Sequence, residues 1–162
     1  MEQYKMVEEK LNELGISFQV VEHEPAVTIE LADKFIEGMV GVRTKTMFMT
    51  DKKKTQFWMI IMDEDKRMDM KRFKEMVGVN QTKMASEECL AKKLGLMPGV
   101  VSPFGLLNNK EKDIVVYFDK EIMGDIPLTF HPNTNEKTVF LSPEDTIRYL
   151  ESIGCEYHIV DL

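Results

Sequence analysis

The chain has 162 residues, of which 43% are hydrophobic and 30% are charged, and its formal net charge is −7 at pH 7. This balance is typical of a folded globular protein and excludes an intrinsically disordered chain. The length favours a single domain that covers residues 1–162. The negative charge argues against wide contact with a nucleic-acid backbone, so we expect no DNA partner, and only a small local contact with any RNA.

Targeting and redox signals point to a cytoplasmic protein without a membrane partner. No apolar run approaches the roughly 20 residues that a membrane helix needs. The first residues, from Met1 to Lys5, are polar and lack the apolar segment of a signal peptide. The two cysteines, Cys89 and Cys155, lie far apart without CxxC spacing, so we expect them to pack as small apolar residues rather than to form a disulfide.

Five segments carry helix signals. In the first, apolar residues recur at helical spacing before Gly15, which is a natural stop. The others begin at a Ser, Thr or Asp N-cap, and the start at Ser142-Pro143 is the clearest, because proline suits the first helical position. The predicted helices cover residues 4–14, 28–36, 69–77, 86–94 and 142–154.

Eight further segments read as strands. The run from Phe57 to Met62 is apolar on both faces, which predicts a central strand. Helices interrupt the strands without strict βαβ alternation, so we predict a mixed α/β domain with a curved or barrel-like sheet. The predicted strands cover residues 16–22, 44–50, 55–62, 82–85, 113–119, 126–131, 138–141 and 156–160.

The stretch 99–109 is neither a helix nor a clean strand by its pattern. It sets two glycines and a proline among apolar residues. Glycine permits positive φ or close approach to a ligand, and proline holds a rigid bend. Such a stiff apolar loop suits one wall of a small pocket, and it suits a plain loop at the edge of the core equally well.

The common catalytic and cofactor motifs are absent. There is no HExxH, no paired CxxC, no GxSxG, no P-loop and no GxGxxG. The three histidines, His23, His131 and His158, have no ligand spacing, so we expect no metal and no cofactor.

Two candidate functional residues remain. Lys45 opens an apolar strand, either as a fixed cation at a pocket mouth, placed for a phosphate or a developing oxyanion, or as an edge lysine with its amine in water. His131 ends a strand and precedes Pro132 and Asn133 in a rigid turn. It suits the positioning of a water or a substrate hydroxyl, and it is equally compatible with a plain turn.

The order and spacing of Lys45, the loop 99–109 and the turn 131–135 are those of one known family. The chain resembles the YbaK/ProX-type aminoacyl-tRNA editing domains, most closely the free-standing prolyl-tRNA editing members, over nearly its whole length. Residues 22–28 also resemble the early segment of this family. The resemblance implies a mixed, largely antiparallel barrel-like sheet flanked by helices. It further implies hydrolysis, in trans, of the ester between a wrong amino acid and proline tRNA, with alanine as the expected error.

The same resemblance assigns residues to roles. Lys45 matches the family's lysine that holds the phosphate region of the terminal adenosine, and His131 matches a histidine that orders the substrate end and the water. Gly99 is the first residue of the family's GxxxP loop, whose backbone contacts the aminoacyl group. Lys45, Gly99 and His131 are therefore the catalytic candidates. The substrate-binding candidates are Val100, Val101, Ser102, Pro103, Phe104, Gly105, Thr46, His23 and Asn133.

Departures from the family pattern leave alternatives open. Thr46 stands where many members have asparagine, and Val100 and Val101 fill the GxxxP spacer with branched side chains that narrow the pocket.

The implied partners are the acceptor end of mischarged proline tRNA and, as an additional candidate, prolyl-tRNA synthetase. The alternatives are a deacylase for another mischarged amino acid such as cysteine, and a non-catalytic module of the same fold that binds a nucleotide or a partner protein.

Overall fold

The computed structural model describes residues 3–162, so Met1 and Glu2, which begin the segment read as lacking a signal peptide, lie outside the described residues. Within this range the helices α1–α5 cover Gln3–Glu13, Ile29–Phe35, Met70–Val77, Glu87–Leu94 and Pro143–Ser152. The strands β1–β8 cover Gln19–Glu22, Val42–Asp51, Phe57–Asp63, Thr82–Met84, Ile114–Asp119, Leu128–Phe130, Lys137–Leu141 and Tyr157–Val160. Two short 3-10 helices cover Pro103–Asn108 and Lys120–Ile122.

The helix boundaries follow from local capping. Helices α2 to α5 each begin where a side-chain oxygen accepts a hydrogen bond from a backbone N–H three residues later, as predicted. The capping residues are Thr28, Asp69, Ser86 and Ser142. Helices α3 and α4 end at Gly78 and Gly95, which adopt the left-handed conformation at φ 73° and 65°.

Two predicted segments differ from the structure by more than two residues. Strand β1 begins at Gln19 rather than Ile16, because Ile16 is buried and its N–H donates to the Leu11 carbonyl, which closes α1. The stretch 99–109 is not irregular throughout, because Pro103–Asn108 forms a 3-10 helix. Ser102 caps that helix by accepting from the Phe104 N–H at 3.2 Å, with the same Ser-Pro start that marks α5.

The strands form one open mixed sheet, which confirms the predicted mixed α/β class. The order is β1-β7-β6-β2-β3-β5-β8, and β4 pairs with β2 beside this path. Four of the seven pairings between described strands are antiparallel, namely β1–β7, β6–β7, β2–β3 and β2–β4. The other three, β2–β6, β3–β5 and β5–β8, are parallel.

The central position predicted for the strand β3 is confirmed. Its side chains alternate between two hydrophobic cores, one on each face of the sheet. Met59 and Ile61 join the larger core with residues of α1, α4 and the first 3-10 helix. Ile60 and Met62 join the smaller core with Phe73 of α3. Burial of each such side chain contributes about 1.5–3 kcal/mol, so this strand is fixed from both faces.

One edge of strand β2 pairs with two different strands. At its start Val42 and Arg43 pair with β6, and at its end Met49–Asp51 pair with β4. The opposite edge pairs with β3 along Thr44–Thr50. The middle of β2 is therefore flanked by β3 on one side and by a gap between β6 and β4 on the other.

None of the helices in residues 3–162 is long and apolar enough to cross a membrane. Cys89 and Cys155 are unpaired, and both pack against the larger core. Both thiols therefore pack as small apolar side chains. Burial raises the pKa of the Cys155 thiol to about 11.

Candidate functional site

A cavity of about 440 Å³ opens at the gap in the β2 edge. Residues from distant parts of the chain line it: α2 and the segment before it, the middle of β2, the ends of β4 and β6, and the start of the 99–109 stretch. Of the sequence-predicted residues, the cavity brings together Lys45, Thr46, Gly99, Val101 and His131. The missing stretch of strand pairing is thus the place where the predicted catalytic candidates meet.

Lys45 reaches the cavity from the middle of β2. Its side chain lies on the same face of the strand as Met47, and its Nζ donates a hydrogen bond to the Lys66 carbonyl. The Lys66 ammonium is itself held by Asp119 at 2.7 Å, and the Asp119 side chain is only 1% exposed. Lys45 is therefore a positioned cation at the cavity rather than a lysine with its amine free in water.

The start of the 99–109 stretch forms one wall. Gly99 adopts φ +92°, a conformation that side chains of L-residues rarely allow, so glycine is required there by the backbone. A Cβ at Gly99 would meet nothing within 4 Å, so the constraint is conformational and not steric. Val101 also lines the cavity, whereas Val100 packs against the larger core.

A buried hydrogen bond joins this wall to the wall that carries His131. The Ser102 hydroxyl donates to Asn133 Oδ1 at 2.9 Å, and both side chains are buried. Asn133 adopts φ +60°, and its N–H donates to the His131 carbonyl at 2.7 Å in a tight turn. Neither Ser102 nor Asn133 lines the cavity, so these two predicted binding residues set the position of the walls instead.

His131 lines the cavity with an imidazole that is largely removed from water. Its buried Nδ1 has no hydrogen-bond partner among residues 3–162. Burial lowers the pKa of His131 below its ordinary value of 6.5, the Lys137 backbone partly opposes this shift, and His23 adds to it. The imidazole is consequently neutral at pH 7, which leaves one ring nitrogen able to accept a hydrogen bond.

The remaining predicted residues lie outside the cavity. Pro103, Phe104 and Gly105 belong to the 3-10 helix and are buried in the core. Phe104 packs against other aromatic rings there, and the Pro103 carbonyl accepts from the Tyr149 hydroxyl at 2.9 Å. The sequence predicts that the whole GxxxP loop lines the pocket. In the structure Gly99 and Val101 line the cavity, whereas Pro103 lies in the core.

His23 also lies one residue away from the cavity. Its Nε2 is 2.9 Å from the Thr138 hydroxyl, and its ring stacks on Phe35 of α2 at 4.7 Å between ring centroids. Thr138 lines the cavity, so His23 reaches the site through Thr138 and supports α2.

Sequence reasoning missed an acidic pair in the cavity lining. Asp33 of α2 and Glu64, which follows β3, both line it. Burial is the largest cause that raises the pKa of Glu64, and together with the neighbouring Asp33 carboxyl and the charges of Asp65 and Asp63 it brings this pKa to about 8. The charged residues of the segment 63–66 predict only a turn, and no local signal in this segment indicates that a carboxylate of α2 lies nearby.

The described part of the chain contains no cluster of the usual metal-binding side chains. No group of three or more His, Cys, Asp or Glu side chains within residues 3–162 is arranged to hold a metal ion. A second cavity, of about 290 Å³, lies at α1, the first 3-10 helix and the end of α5, and it contains none of the sequence-predicted residues. The chemistry suggested by the sequence therefore concerns the 440 Å³ cavity, which combines the held cation of Lys45, a neutral imidazole, the carboxyl groups of Asp33 and Glu64, and backbone groups.

Comparison with known proteins gives a consistent set of relatives. The family model of the aminoacyl-tRNA editing domain matches residues 23–149. The prolyl-tRNA editing protein ProX of Acetoanaerobium sticklandii is 36% identical over 153 residues, which cover 94% of this chain and 93% of that protein. The prolyl-tRNA synthetase associated domain-containing protein 1 of Mus musculus is 30% identical over 152 residues, which cover 91% of this chain and 89% of that protein.

A solved structure shares the fold. It is described as a candidate trans-editing enzyme for prolyl tRNA synthetase, and it matches with a TM-score of 0.75 at 18% sequence identity. The match covers 100% of this chain and 98% of that chain. At this identity the likeness concerns the arrangement of helices and strands.

The Ser102–Asn133 bond generates a stability prediction. Ser102→Ala removes a buried hydroxyl that serves both Asn133 and the Phe104 N–H, so we expect the free energy of unfolding to fall by about 1–3 kcal/mol. Urea denaturation measures this change. The exposed Ser17→Ala serves as the matched control, with an expected change within about 0.5 kcal/mol. Equal stability of the two variants would contradict the role of the bond.

The raised pKa of Glu64 generates a pH prediction. The folded protein retains a proton on Glu64 that the unfolded chain releases near the ordinary pKa of 4.5, so this group lowers stability as pH rises from about 4.5 through about 8. Glu64→Gln should remove that decline and stabilise the protein above about pH 8, by less than about 1 kcal/mol because Glu64 is only partly buried. Thermal unfolding at a series of pH values measures this, with the exposed Glu151→Gln as control. A Glu64→Gln variant whose pH profile parallels that of the wild type contradicts the shift.

Proposed function

Because the chain belongs to the aminoacyl-tRNA editing domain family, we propose that it is an aminoacyl-tRNA deacylase that acts in trans on mischarged proline tRNA. The observation that carries this proposal is the cavity at the β2 gap, which gathers Lys45, Gly99 and His131 from three separate segments. Those are the residues to which the sequence resemblance attaches the chemistry.

The reaction needs no nucleophilic side chain. An aminoacyl ester is already activated, so a positioned water attacks its carbonyl carbon while the 2′-hydroxyl of the substrate's terminal ribose assists. Catalysis then rests on orientation and on donors directed at the developing oxyanion. A cavity with one cation, a neutral imidazole and backbone groups matches this requirement.

Each candidate has a distinct role in this proposal. Lys45, held by the Lys66 carbonyl, binds the phosphate region of the terminal adenosine. His131 stays neutral because it is buried, and its imidazole orders the attacking water or the terminal ribose from the wall of the cavity. Gly99 brings the loop backbone close to the aminoacyl group, where a side chain at φ +92° would be strained.

Alanine is the proposed mischarged amino acid. The apolar part of the lining includes Val101, Leu90 and Phe130, which favour a small side chain and limit the space for a bulkier one. A pocket of this kind discriminates by only about 1–3 kcal/mol per methylene, so a second sieve after synthesis is useful. Cysteine is close to alanine in size and is the alternative substrate, and a non-catalytic nucleotide-binding module is the alternative function.

The proposed partner is the acceptor end of the tRNA. The net charge of −7 does not favour a wide contact with the tRNA backbone, so we propose that a local contact suffices or that prolyl-tRNA synthetase supplies the rest. A cytoplasmic location follows from this proposal, since aminoacylated tRNA is used there.

A deacylation panel tests the function. The purified protein is incubated with proline tRNA charged with alanine, cysteine or proline, and loss of the ester is followed over time. We expect fast loss of alanine, slower loss of cysteine and retention of proline. Preferential loss of cysteine would replace alanine by the alternative substrate, and rates no higher than uncatalysed hydrolysis for every charged tRNA would favour the non-catalytic module.

Lys45→Ala tests the role of the held cation. The variant loses the charge at the cavity but no core packing, so we expect a fall of about 100-fold in the rate of Ala-tRNA(Pro) deacylation with an unchanged melting temperature. Lys53→Ala, in the exposed turn between β2 and β3, is the matched control that also removes one positive charge. A similar rate for Lys45→Ala and Lys53→Ala would remove Lys45 from the site.

A further inference from the structure

We propose that the backbone of Thr46 is the acyl-binding edge of the cavity. Its N–H donates to the ester carbonyl oxygen, and its C=O accepts from the α-ammonium group of the same aminoacyl unit. This inference rests on the proposed deacylase function and assigns to the main chain of β2 a role that its side chains do not explain.

The direction of the Thr46 backbone follows from the hydrogen bonds of its neighbours. The Arg43 carbonyl accepts from the Glu64 N–H at 2.9 Å, so the odd-numbered residues of β2 direct their backbone groups toward β3. The Phe48 carbonyl accepts from the Ala85 N–H at 2.9 Å, which places the even-numbered residues on the opposite edge. Thr46 therefore points its N–H and C=O into the gap between β4 and β6.

No strand among residues 3–162 completes the ladder at this point. The β6 pairing includes Val42 and Arg43, and the β4 pairing begins at Met49, so neither includes Thr46. Thr46 instead lines the 440 Å³ cavity and is partly buried. Partly buried backbone N–H and C=O groups cost free energy when they have no hydrogen-bond partner. A ligand that forms hydrogen bonds with both groups removes this cost, which favours its binding.

An α-aminoacyl group has the right shape for this edge. In an antiparallel ladder, one residue exchanges both of its hydrogen bonds with one residue opposite, through its own N–H and C=O. An aminoacyl ester carries an ammonium donor and a carbonyl acceptor on the same α-carbon, so it can pair with Thr46 as one residue of an added strand. Lys45 and Thr46 would then bind different parts of the substrate. The Lys45 side chain binds the phosphate, and the Thr46 backbone binds the acyl group.

The same contact strengthens during the reaction. As the water oxygen bonds to the carbonyl carbon, the π electron pair moves onto the carbonyl oxygen, which becomes an oxyanion facing the Thr46 N–H. Collapse of this intermediate breaks the bond to the ribose 3′-oxygen, which takes up a proton, while the water's other proton is lost and the free amino acid leaves. The donor is thus placed where negative charge develops, which is the geometry that lowers the barrier.

Replacement of the Thr46 amide N–H by an ester oxygen, introduced with the α-hydroxy analogue of threonine into the full-length chain, tests the proposal. We expect a fall of about 100-fold or more in kcat for Ala-tRNA(Pro) and little change in melting temperature, because this N–H has no strand partner to lose. The same replacement at Thr50 is the matched control, because Thr50 lies on the same edge and pairs with Lys83 of β4. There we expect a lower melting temperature and an unchanged kcat.

A second measurement on the unmodified protein tests the ammonium contact without any risk to folding. Proline tRNA carrying a propionyl group differs from the alanyl form only by the missing amino group. After each rate is divided by its uncatalysed rate, we expect kcat/KM to be at least about 10-fold lower for the propionyl ester. Equal values overturn the contact between the Thr46 carbonyl and the ammonium group.

The outcomes separate this inference from the function on which it rests. An unmodified protein that hydrolyses none of the charged tRNAs overturns the deacylase function itself. An active unmodified protein whose Thr46 ester variant retains the full kcat overturns only the role of the Thr46 N–H. A Thr50 ester variant that loses kcat as strongly as the Thr46 variant also overturns that role, because the loss then reflects strand disruption.

Discussion

Strand β2 cannot be covered along its whole edge, because two different strands pair with its two ends. Parallel pairing with β6 stops at Arg43, and antiparallel pairing with β4 starts at Met49. The sheet therefore splays between them, and α2 and the 99–109 stretch close over the opening. For this reason the unpaired edge of β2 borders the cavity. The side chains of Lys45 and Thr46, which lie on opposite faces of β2, both line it.

The walls of the cavity are held from behind by polar contacts that do not touch it. The Ser102–Asn133 bond ties the loop wall to the His131 wall, and the Tyr149 hydroxyl holds the 3-10 helix through the Pro103 carbonyl. Buried polar groups of this kind are costly when unpaired, so each contact favours one arrangement of the walls over others. The positions of Gly99 and His131 thus depend on residues deeper in the fold.

The cavity holds a positively charged lysine beside several titratable side chains, although the net charge of the protein is negative. Lys45 is directed by the Lys66 carbonyl, and Lys66 is fixed in turn by the buried carboxylate of Asp119. Burial and the neighbouring Asp33 carboxyl raise the pKa of Glu64 to about 8, so that Glu64 holds a proton near neutral pH. The neutral imidazole of His131 completes a set of groups whose protonation is decided by burial and by neighbouring charges.

Local signals in the sequence were sufficient for the helices, the two-sided central strand and the mixed α/β class. N-caps such as Ser142 and stops such as Gly95 act on their immediate neighbours, so the sequence alone determines them. The same kind of signal at Ser102 marked the 3-10 helix, but Gly105 and the shortness of the element concealed it. Motif order also pointed to Lys45, Gly99 and His131 as residues of one site.

The tertiary structure alone decided which side chains line that site. The bond from Lys45 to the Lys66 carbonyl spans 21 positions, and that from Ser102 to Asn133 spans 31. The approach of Asp33 to Glu64 likewise depends on how α2 packs across the end of β3. Local preferences do not specify such contacts, because strand pairing and core packing bring the partners together only when the whole chain has folded.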